Sequence, residues 1–281
     1  MIDTHAHLYV DAFGADLSEV LQRAHQAGIE EIWLPGTDAA SLREMERFRA
    51  LQPSTSLPNA ASTNHPINFR FFAGLHPCEV TANFSQELAS IGRLLEESTY
   101  DGIGEIGLDL YWDKTFYEQQ CIALTTQFDW ALERKQPVLI HVRDAFDQML
   151  PLIRPYFKKG LTGIFHSFSG SLEQAKEVTD AGFLLGINGV VTFKKSHLPE
   201  LLTHIPLTSI VTETDAPYLT PSPHRGQRNE SSYIPLIVDK LSAIYQLPSA
   251  EIVAQTTSNA YTLLGQNPSS KQPPSPIPTL A

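Results

Sequence analysis

The chain has few cysteines, no long hydrophobic run and a shortage of positive charge. Cys78 and Cys121 are the 2 cysteines among 281 residues, too few for a disulfide framework or a cysteine-based zinc site. No apolar stretch reaches the roughly 18–20 residues that a membrane-spanning helix needs. The first residues also lack the basic flank and apolar run of a secretory signal. We therefore expect a cytoplasmic protein.

Acidic residues outnumber basic ones, 31 against 20, which gives a formal net charge of −11. Because bulk attraction to a polyanion normally needs a basic surface, the composition excludes a nucleic-acid coat held by charge alone. With 42% hydrophobic and 18% charged residues, the chain can bury a sizeable core and is not a disordered tail. Its length suits one or two domains and is also usual for one α/β barrel.

Short β-rich runs alternate with longer amphipathic stretches, a pattern typical of repeated βα units and a parallel sheet. The last helical stretch, residues 234–260, is long enough for two helices. Eight short β-rich runs, separated by amphipathic stretches, predict a (β/α)8 TIM barrel in a single α/β domain over residues 1–265. The predicted strands are Ile2–His5, Glu31–Leu34, Phe71–Leu75, Gly102–Ile106, Val138–Val142, Gly163–Phe168, Phe183–Ile187 and Ile210–Glu213.

Two segments fall outside this alternation. Residues 52–68 are rich in turn formers, which predicts an extended surface loop. In residues 266–281 the composition is proline-rich, with five prolines among the last fourteen residues of the chain. Such a segment cannot build a packed helix or strand, so we expect a disordered tail.

Ionisable residues occupy the ends of the predicted strands, where barrel enzymes build their active sites. Burying so many of them together is costly unless a divalent cation compensates. They are His5 and His7 closing strand 1, His76 following strand 3, and Glu105, His141, His166 and Asp215 at the ends of strands 4, 5, 6 and 8.

The spacing of these residues favours metal binding over isolated structural roles. In an extended strand His5 and His7 point the same way and can hold one ion together. Each histidine taken singly is better explained by a hydrogen bond at a strand end than by metal binding. Hydrogen bonding alone does not explain the whole set of histidines and carboxylates at one face. Asp215 can both bind a metal and take a proton from water. The GxGxxG pattern at 102–107 is not a dinucleotide site, because no apolar strand precedes it and no helix opens on it; its glycines indicate close backbone packing.

Seven motifs, read in order, resemble the TatD family of metal-dependent hydrolases and deoxyribonucleases, which belongs to the amidohydrolase-type barrels. They span nearly the whole chain except the tail. Two positions depart from the family pattern: Cys78 stands where another histidine is usual, and Ser167 where cysteine is common. The motifs are IDTHAHL at 2–8, GLHP at 74–77, GEIGLD at 104–109, PVLIHVRDA at 137–145, FHSFSG at 165–170, ETDAPYL at 213–219 and PHRGQRNE at 223–230.

This resemblance implies a dinuclear site. The first divalent ion would be held by His5, His7 and Asp215, the second by His141 and His166, with Glu105 bridging them. Ions about 3.5–4 Å apart acidify a bridging water, whose hydroxide would attack phosphorus with Asp215 as the base. Imidazole with carboxylate suits Zn or Mn, and Mg is compatible with a nuclease.

The implied activity is that of a deoxyribonuclease, a phosphodiesterase of the 3'-5' exonuclease type. Its partner would be DNA, as strand ends or short oligonucleotides engaged locally, with no membrane and no obligate protein partner. His76, Arg225 and Arg228 are candidates to hold a phosphate, although the two arginines equally suit a solvated basic loop. Arg143 either binds substrate or orders Asp144. The alternative is hydrolysis of another bond, such as an aminoacyl-tRNA ester or a cyclic amide.

Overall fold

Eight parallel strands, paired in chain order, form the central sheet. This computed structural model describes residues 1–51 and 67–266. The alternation of strands and helices confirms the predicted TIM barrel. The strands are β1 Ile2–Asp3, β2 Glu31–Pro35, β3 Asn68–Ala73, β4 Gly102–Asp109, β5 Val138–Arg143, β6 Gly163–Phe165, β7 Leu184–Ile187 and β8 Ile210–Thr212.

The sheet closes where the first strand meets the last. Ala6 and Ala216 form a parallel bridge just beyond β1 and β8. The amide of Thr4 donates to the carbonyl of Thr212 at 3.1 Å, and the amide of His7 donates to Ala216 at 2.7 Å. The first and the last strand therefore lie side by side, which brings residues more than 200 positions apart into contact.

Helices cover the outside of the sheet. The stretch after β8 holds two helices, α8 and α9, as the sequence predicts. Among the described residues no helix is long and apolar enough to cross a membrane. The helices are α1 Leu17–Gln26, α2 Ala39–Leu51, α3 Phe84–Glu97, α4 Tyr117–Arg134, α5 Phe146–Phe157, α6 Leu172–Asp180, α7 Leu198–Leu202, α8 Ile234–Tyr245 and α9 Ser249–Leu263.

Apolar side chains fill two regions. The larger lies between the sheet and the helices, where the buried faces of the amphipathic helices pack. A second cluster draws on several strands of the barrel, and in it the rings of Trp33 and Phe72 stack with centroids 5.2 Å apart. Its strand members, which we call the lower cluster, are Ile2, Trp33, Phe72, Leu139, Ile164 and Val211.

Several predicted strand ends need correction. The sequence extends strands 1, 3, 6 and 8 to His5, Leu75, Phe168 and Glu213, but β1, β3, β6 and β8 end at Asp3, Ala73, Phe165 and Thr212. It ends strand 4 at Ile106, whereas β4 continues to Asp109. Regular pairing stops because the backbone turns at the mouth of the barrel: Ser167 and Asp215 have positive φ angles of 46° and 59°. His166 and Asp215 therefore follow β6 and β8, whereas Glu105 and His141 lie within β4 and β5.

Two predicted segments lie largely outside the described residues. Of the predicted loop 52–68, only Ile67 and Asn68 are described, and Asn68 begins β3. Of the predicted tail 266–281, only Gln266 is described; its amide donates to Tyr261 at 2.9 Å. The loop and the tail therefore stay predictions.

Candidate metal centre

The carboxylate of Glu105 lies at the centre of the barrel mouth, with its side chain 4% exposed. Its Oε2 lies 3.1 Å from Nε2 of His5 and 3.6 Å from Nε2 of His7. Its Oε1 lies 3.1 Å from Nδ1 of His141 and 3.0 Å from Nε2 of His166. Each carboxylate oxygen thus faces different histidines, with His76 as a third neighbour of Oε1 at 3.3 Å, and this division between two oxygens is the arrangement that a bridging carboxylate needs.

Asp215 completes the group around Oε2. Its Oδ1 lies 3.8 Å from Nε2 of His5 and 3.6 Å from Nε2 of His7. The two histidine nitrogens are 3.2 Å apart, as expected for residues two apart on an extended backbone. His5, His7 and Asp215 therefore present three donor atoms to one point and can hold a cation.

Hydrogen bonds fix which nitrogen of His7 carries the hydrogen. Tyr9 donates its hydroxyl hydrogen to the carbonyl of Pro35 at 2.7 Å. The same hydroxyl oxygen lies 3.0 Å from Nδ1 of His7 and must accept there. In neutral His7 the hydrogen is therefore on Nδ1, and the Nε2 lone pair faces the carboxylates of Glu105 and Asp215.

The same reasoning applies to His141 in the second group. Its Nε2 donates to Oδ2 of Asp109 at 2.9 Å, so in the neutral ring the Nδ1 lone pair faces Oε1 of Glu105. Lone pairs directed at carboxylate oxygens repel unless a cation or a proton lies between them. The residues present therefore fit divalent cations on both sides of Glu105.

The pKa values of side chains in this cluster are shifted in directions that agree with a need for positive charge. Burial alone would raise the pKa of Glu105, but the nearby histidines, led by His166, hold that pKa well below its ordinary value. Burial would lower the pKa of His166, yet Glu105 and Glu213 raise it well above the usual range. Asp215 keeps a lowered pKa despite its burial, because His7, His166 and His5 favour its ionised form.

Buried carboxylates behind the ligands were missed by the sequence reasoning. Asp3 accepts hydrogen bonds from the Thr214 hydroxyl at 2.6 Å and the Thr214 amide at 2.9 Å, joining β1 to the segment after β8. Burial raises the pKa of Asp3 to about 7. Glu213 lies under His166, with Oε1 3.5 Å from Nδ1, and accepts from the Ser167 amide at 2.6 Å. The sequence offers one signal for both carboxylates, because each lies two positions before a predicted site residue.

Glycines let the backbone pack tightly around Glu105, as the sequence predicts. A β-carbon at Gly104 would lie 2.7 Å from that of Leu139 on β5. At Gly107, a β-carbon would overlap the carbonyl oxygen of His141. The motif around Glu105 therefore serves the close approach of β4 to β5, which carries His141 to the carboxylate.

His76 joins the cluster in a different role from His141. Its Nδ1 accepts from the amide of Cys78 at 3.1 Å, so in the neutral ring the hydrogen is on Nε2, 3.3 Å from Oε1 of Glu105. Distance alone also groups His76 with Glu105 and His141 as a possible ligand set. The tautomer makes His76 a hydrogen-bond donor toward Glu105, and its contact with substrate stays a prediction.

The two arginines predicted for phosphate binding have different surroundings. Arg228 forms two 2.7 Å bonds to the carboxylate of Asp16 and a 3.1 Å bond to Glu230, an arrangement that favours a structural role. Arg225 is exposed, and its guanidinium lies 3.7 Å from the centroid of the Phe193 ring. Of the two, Arg225 is the one free of carboxylate partners among the described residues.

The two departures from the family pattern leave the ligand groups complete. Although Cys78 is exposed as a residue, partial desolvation of its thiol, with Asp109 and Glu105 nearby, raises its pKa to about 12, so this thiol stays neutral. The hydroxyl oxygen of Ser167 accepts from the side-chain amide of Asn188 at 2.8 Å.

Comparison with known proteins agrees with this site. A family model described as TatD related DNase matches residues 2–265. The chain is 33% identical over 270 residues to a Bacillus subtilis protein called uncharacterized metal-dependent hydrolase YabD, covering 95% of this chain and 100% of that protein. It is 31% identical over 271 residues to the 3'-5' ssDNA/RNA exonuclease TatD of Klebsiella pneumoniae, covering 94% and 98%.

A solved structure shares the architecture. The crystal structure of YjjV, a TatD homologue from Escherichia coli K12, superposes with a TM-score of 0.82 at 28% identity, covering 94% of this chain and 97% of that one. The match along the chain and the polar cluster at the barrel mouth lead to one conclusion. The chain belongs to the TatD family of metal-dependent hydrolases.

Proposed function

We propose that this hydrolase is a phosphodiesterase that removes nucleotides from the 3' end of DNA, with two divalent cations in the barrel mouth. His5, His7 and Asp215 would hold the first cation, His141 and His166 would hold the second, and Glu105 would be shared between them. The observation that carries the proposal is the division of the Glu105 carboxylate between two histidine pairs.

When bound, divalent cations activate water and neutralise the charge that develops on a phosphoryl oxygen. Asp215 supplies the proton chemistry: its lowered pKa keeps it ionised at neutral pH, and its side chain is 14% exposed to the mouth. It accepts the proton of the attacking water and returns it to the leaving oxygen. His76 donates from Nε2 to a phosphoryl oxygen, and Arg225 contacts a neighbouring phosphate.

The name of a related protein supports a nucleic-acid substrate. A relative at 31% identity is named as an exonuclease of single-stranded DNA and RNA. The net charge of −11 opposes binding of a long duplex by its backbone. Two divalent cations would place four positive charges inside the mouth, so a strand end is attracted locally. We therefore expect modest affinity and attack at chain ends.

The test is a matrix of metals against substrates. Chelator-stripped protein is given Mg, Mn or Zn and supplied with end-labelled single-stranded DNA, duplex DNA, RNA, aminoacyl-tRNA or a cyclic amide. We expect metal-dependent release of single nucleotides from the 3' end of single-stranded DNA. Turnover of aminoacyl-tRNA or the amide with intact oligonucleotides would overturn the phosphodiesterase assignment, and cleavage that survives chelation would overturn the metal requirement.

A further inference from the structure

Three aromatic side chains are exposed around the barrel mouth. Tyr111 is 51% exposed, Trp112 70% and Tyr218 58%. Tyr111 and Trp112 lie two and three positions after Asp109, the last residue of β4, and Tyr218 follows Asp215 by three positions. Large apolar side chains left in water beside a catalytic mouth are a common mark of a ligand surface.

Arg143 joins two of these rings into one surface. Its guanidinium lies 3.9 Å from the ring centroid of Tyr111 and 5.1 Å from that of Trp112. The two rings meet edge to face at 4.8 Å. No carboxylate among the described residues forms an ion pair with Arg143, so its charge is available to a ligand. We call Tyr111, Trp112 and Arg143 the aromatic platform.

The aromatic platform is tied to the metal centre through one carboxylate. Oδ1 of Asp109 accepts from the amides of Tyr111 at 3.0 Å and Trp112 at 3.3 Å. Oδ2 of the same residue faces Nε2 of His141 at 2.9 Å. Asp109 therefore sets the position of the platform relative to the second ligand group.

Tyr218 lies beside the first ligand group. Its ring centroid is 6.3 Å from that of His7, and its amide donates to the carbonyl of Asp215 at 2.8 Å. The platform belongs to the β4–β5 side of the barrel and Tyr218 to the β8–β1 side, which are opposite in an eight-stranded order. Aromatic rings therefore flank the Glu105 carboxylate on both sides.

We propose that the aromatic platform and Tyr218 are two stacking positions that hold unpaired nucleobases on either side of the scissile phosphate. The inference rests on the proposed function and assigns the side chains that would contact the bases of the bound strand. Stacking needs a free base face, which a duplex does not offer, and it tolerates any base because all have a π face. Arg143 adds cation–π attraction and suits a phosphate.

Binding of phosphorothioate oligothymidine, which resists cleavage, tests the proposal. Trp112→Ala and Tyr218→Ala should each weaken binding to the metal-loaded protein by about tenfold. Trp112→Phe and Tyr218→Phe keep a flat ring and should restore most of the affinity. Ile122→Ala, which removes a 53% exposed apolar residue on α4, is the matched control and should bind like the wild type.

An abasic oligonucleotide separates stacking from a structural effect. Removing the base next to the 3'-terminal linkage should weaken binding to the wild type but not further weaken binding to the alanine variant that has lost the matching ring. The oligonucleotide should also quench the fluorescence of Trp112. Equal binding by all variants, or abasic and intact strands bound equally, would overturn the stacking inference while cleavage of single strands still supports the proposed function. A wild type that neither binds nor cleaves nucleic acid would overturn both.

Discussion

The lower cluster and the barrel mouth use the same strands for opposite purposes. On β5, Leu139 belongs to the lower cluster, and His141 lies two positions later in the mouth. Ile164 on β6 and His166 directly after it repeat the arrangement. Because residues two apart share a face of a strand, the chemistry changes from apolar to ionisable within one repeat. The lower region stabilises the barrel, and the mouth concentrates groups that are costly to bury.

The largest expected effect concerns the mouth. Asp215→Asn removes a carboxylate oxygen from the first ligand group and the proposed base, so turnover should fall by roughly 10³-fold. Thermal stability should change little, because the asparagine can occupy the same space. Steady-state kinetics and a melting curve check both statements. A turnover close to that of the wild type would refute the role of Asp215.

A substitution in the lower cluster should have the opposite effect, lowering stability while leaving the metal site intact. Phe72→Ala removes a fully buried ring that stacks on Trp33, and should lower the free energy of unfolding by about 3–5 kcal/mol. Per folded molecule, metal content should stay as in the wild type. Urea unfolding and elemental analysis provide the readouts, with Phe72→Leu as a milder variant. Loss of metal from folded Phe72→Ala would break the division between the two regions.

Glu213 lies between the two regions and sharpens their boundary. Its fully buried carboxylate faces Nδ1 of His166 at 3.5 Å and accepts from the Ser167 amide. Glu213→Gln keeps the volume but weakens the positioning of His166, so metal affinity should fall by roughly 10–100-fold. Titration calorimetry with metal is the measurement, with Glu251→Gln, which changes an exposed residue of α9, as the control. Unchanged affinity would make Glu213 a packing residue only.

The smallest effects separate the two arginines of the loop after β8. Arg228→Ala breaks its pairs with Asp16 and Glu230 and should cost about 1 kcal/mol of stability, with turnover retained. Arg225→Ala should keep the stability and lower the slope of log affinity for single strands against log salt by about 0.7. The reverse pattern would assign the phosphate contact to Arg228.

The Arg228 network also predicts a dependence on pH. Burial would raise the pKa of Glu230, but Arg23 and Arg228 lower it below its ordinary value of 4.5. An acid with a lowered pKa in the folded state adds stability above pH 4.5, and this stability is lost as the pH falls through the folded-state value. Glu230→Gln should therefore lose stability at pH 7 and show a weaker decline below pH 4.5 than the wild type.

The sequence predicted the parts of this molecule that depend on local pattern. Alternating periodicity predicts the eight strands, and the spacing of His5 and His7 predicts a shared face, which their 3.2 Å separation confirms. The predicted ends of strands 6 and 8 were wrong, because the turn into the mouth depends on backbone conformation at Ser167 and Asp215. The predicted ends of strands 1, 3 and 4 were also wrong.

Contacts between distant parts of the chain could not be read from the sequence. The pairing of Arg228 with Asp16 joins residues 212 positions apart, so the sequence around Arg228 does not indicate its partner. Asp3, Asp109 and Glu213 act through Thr214, His141 and His166, and their partners are visible only when the barrel closes. The tautomers of His7, His76 and His141 likewise follow from hydrogen bonds that only the folded structure shows.

The number of cations bound per chain tests the account most directly. Apo protein titrated with Mn or Zn and analysed by elemental analysis should bind two ions, and Glu105→Ala should bind fewer than two while keeping the circular dichroism spectrum of the wild type. A single ion in the wild type, or two ions in Glu105→Ala, would contradict the bridging carboxylate.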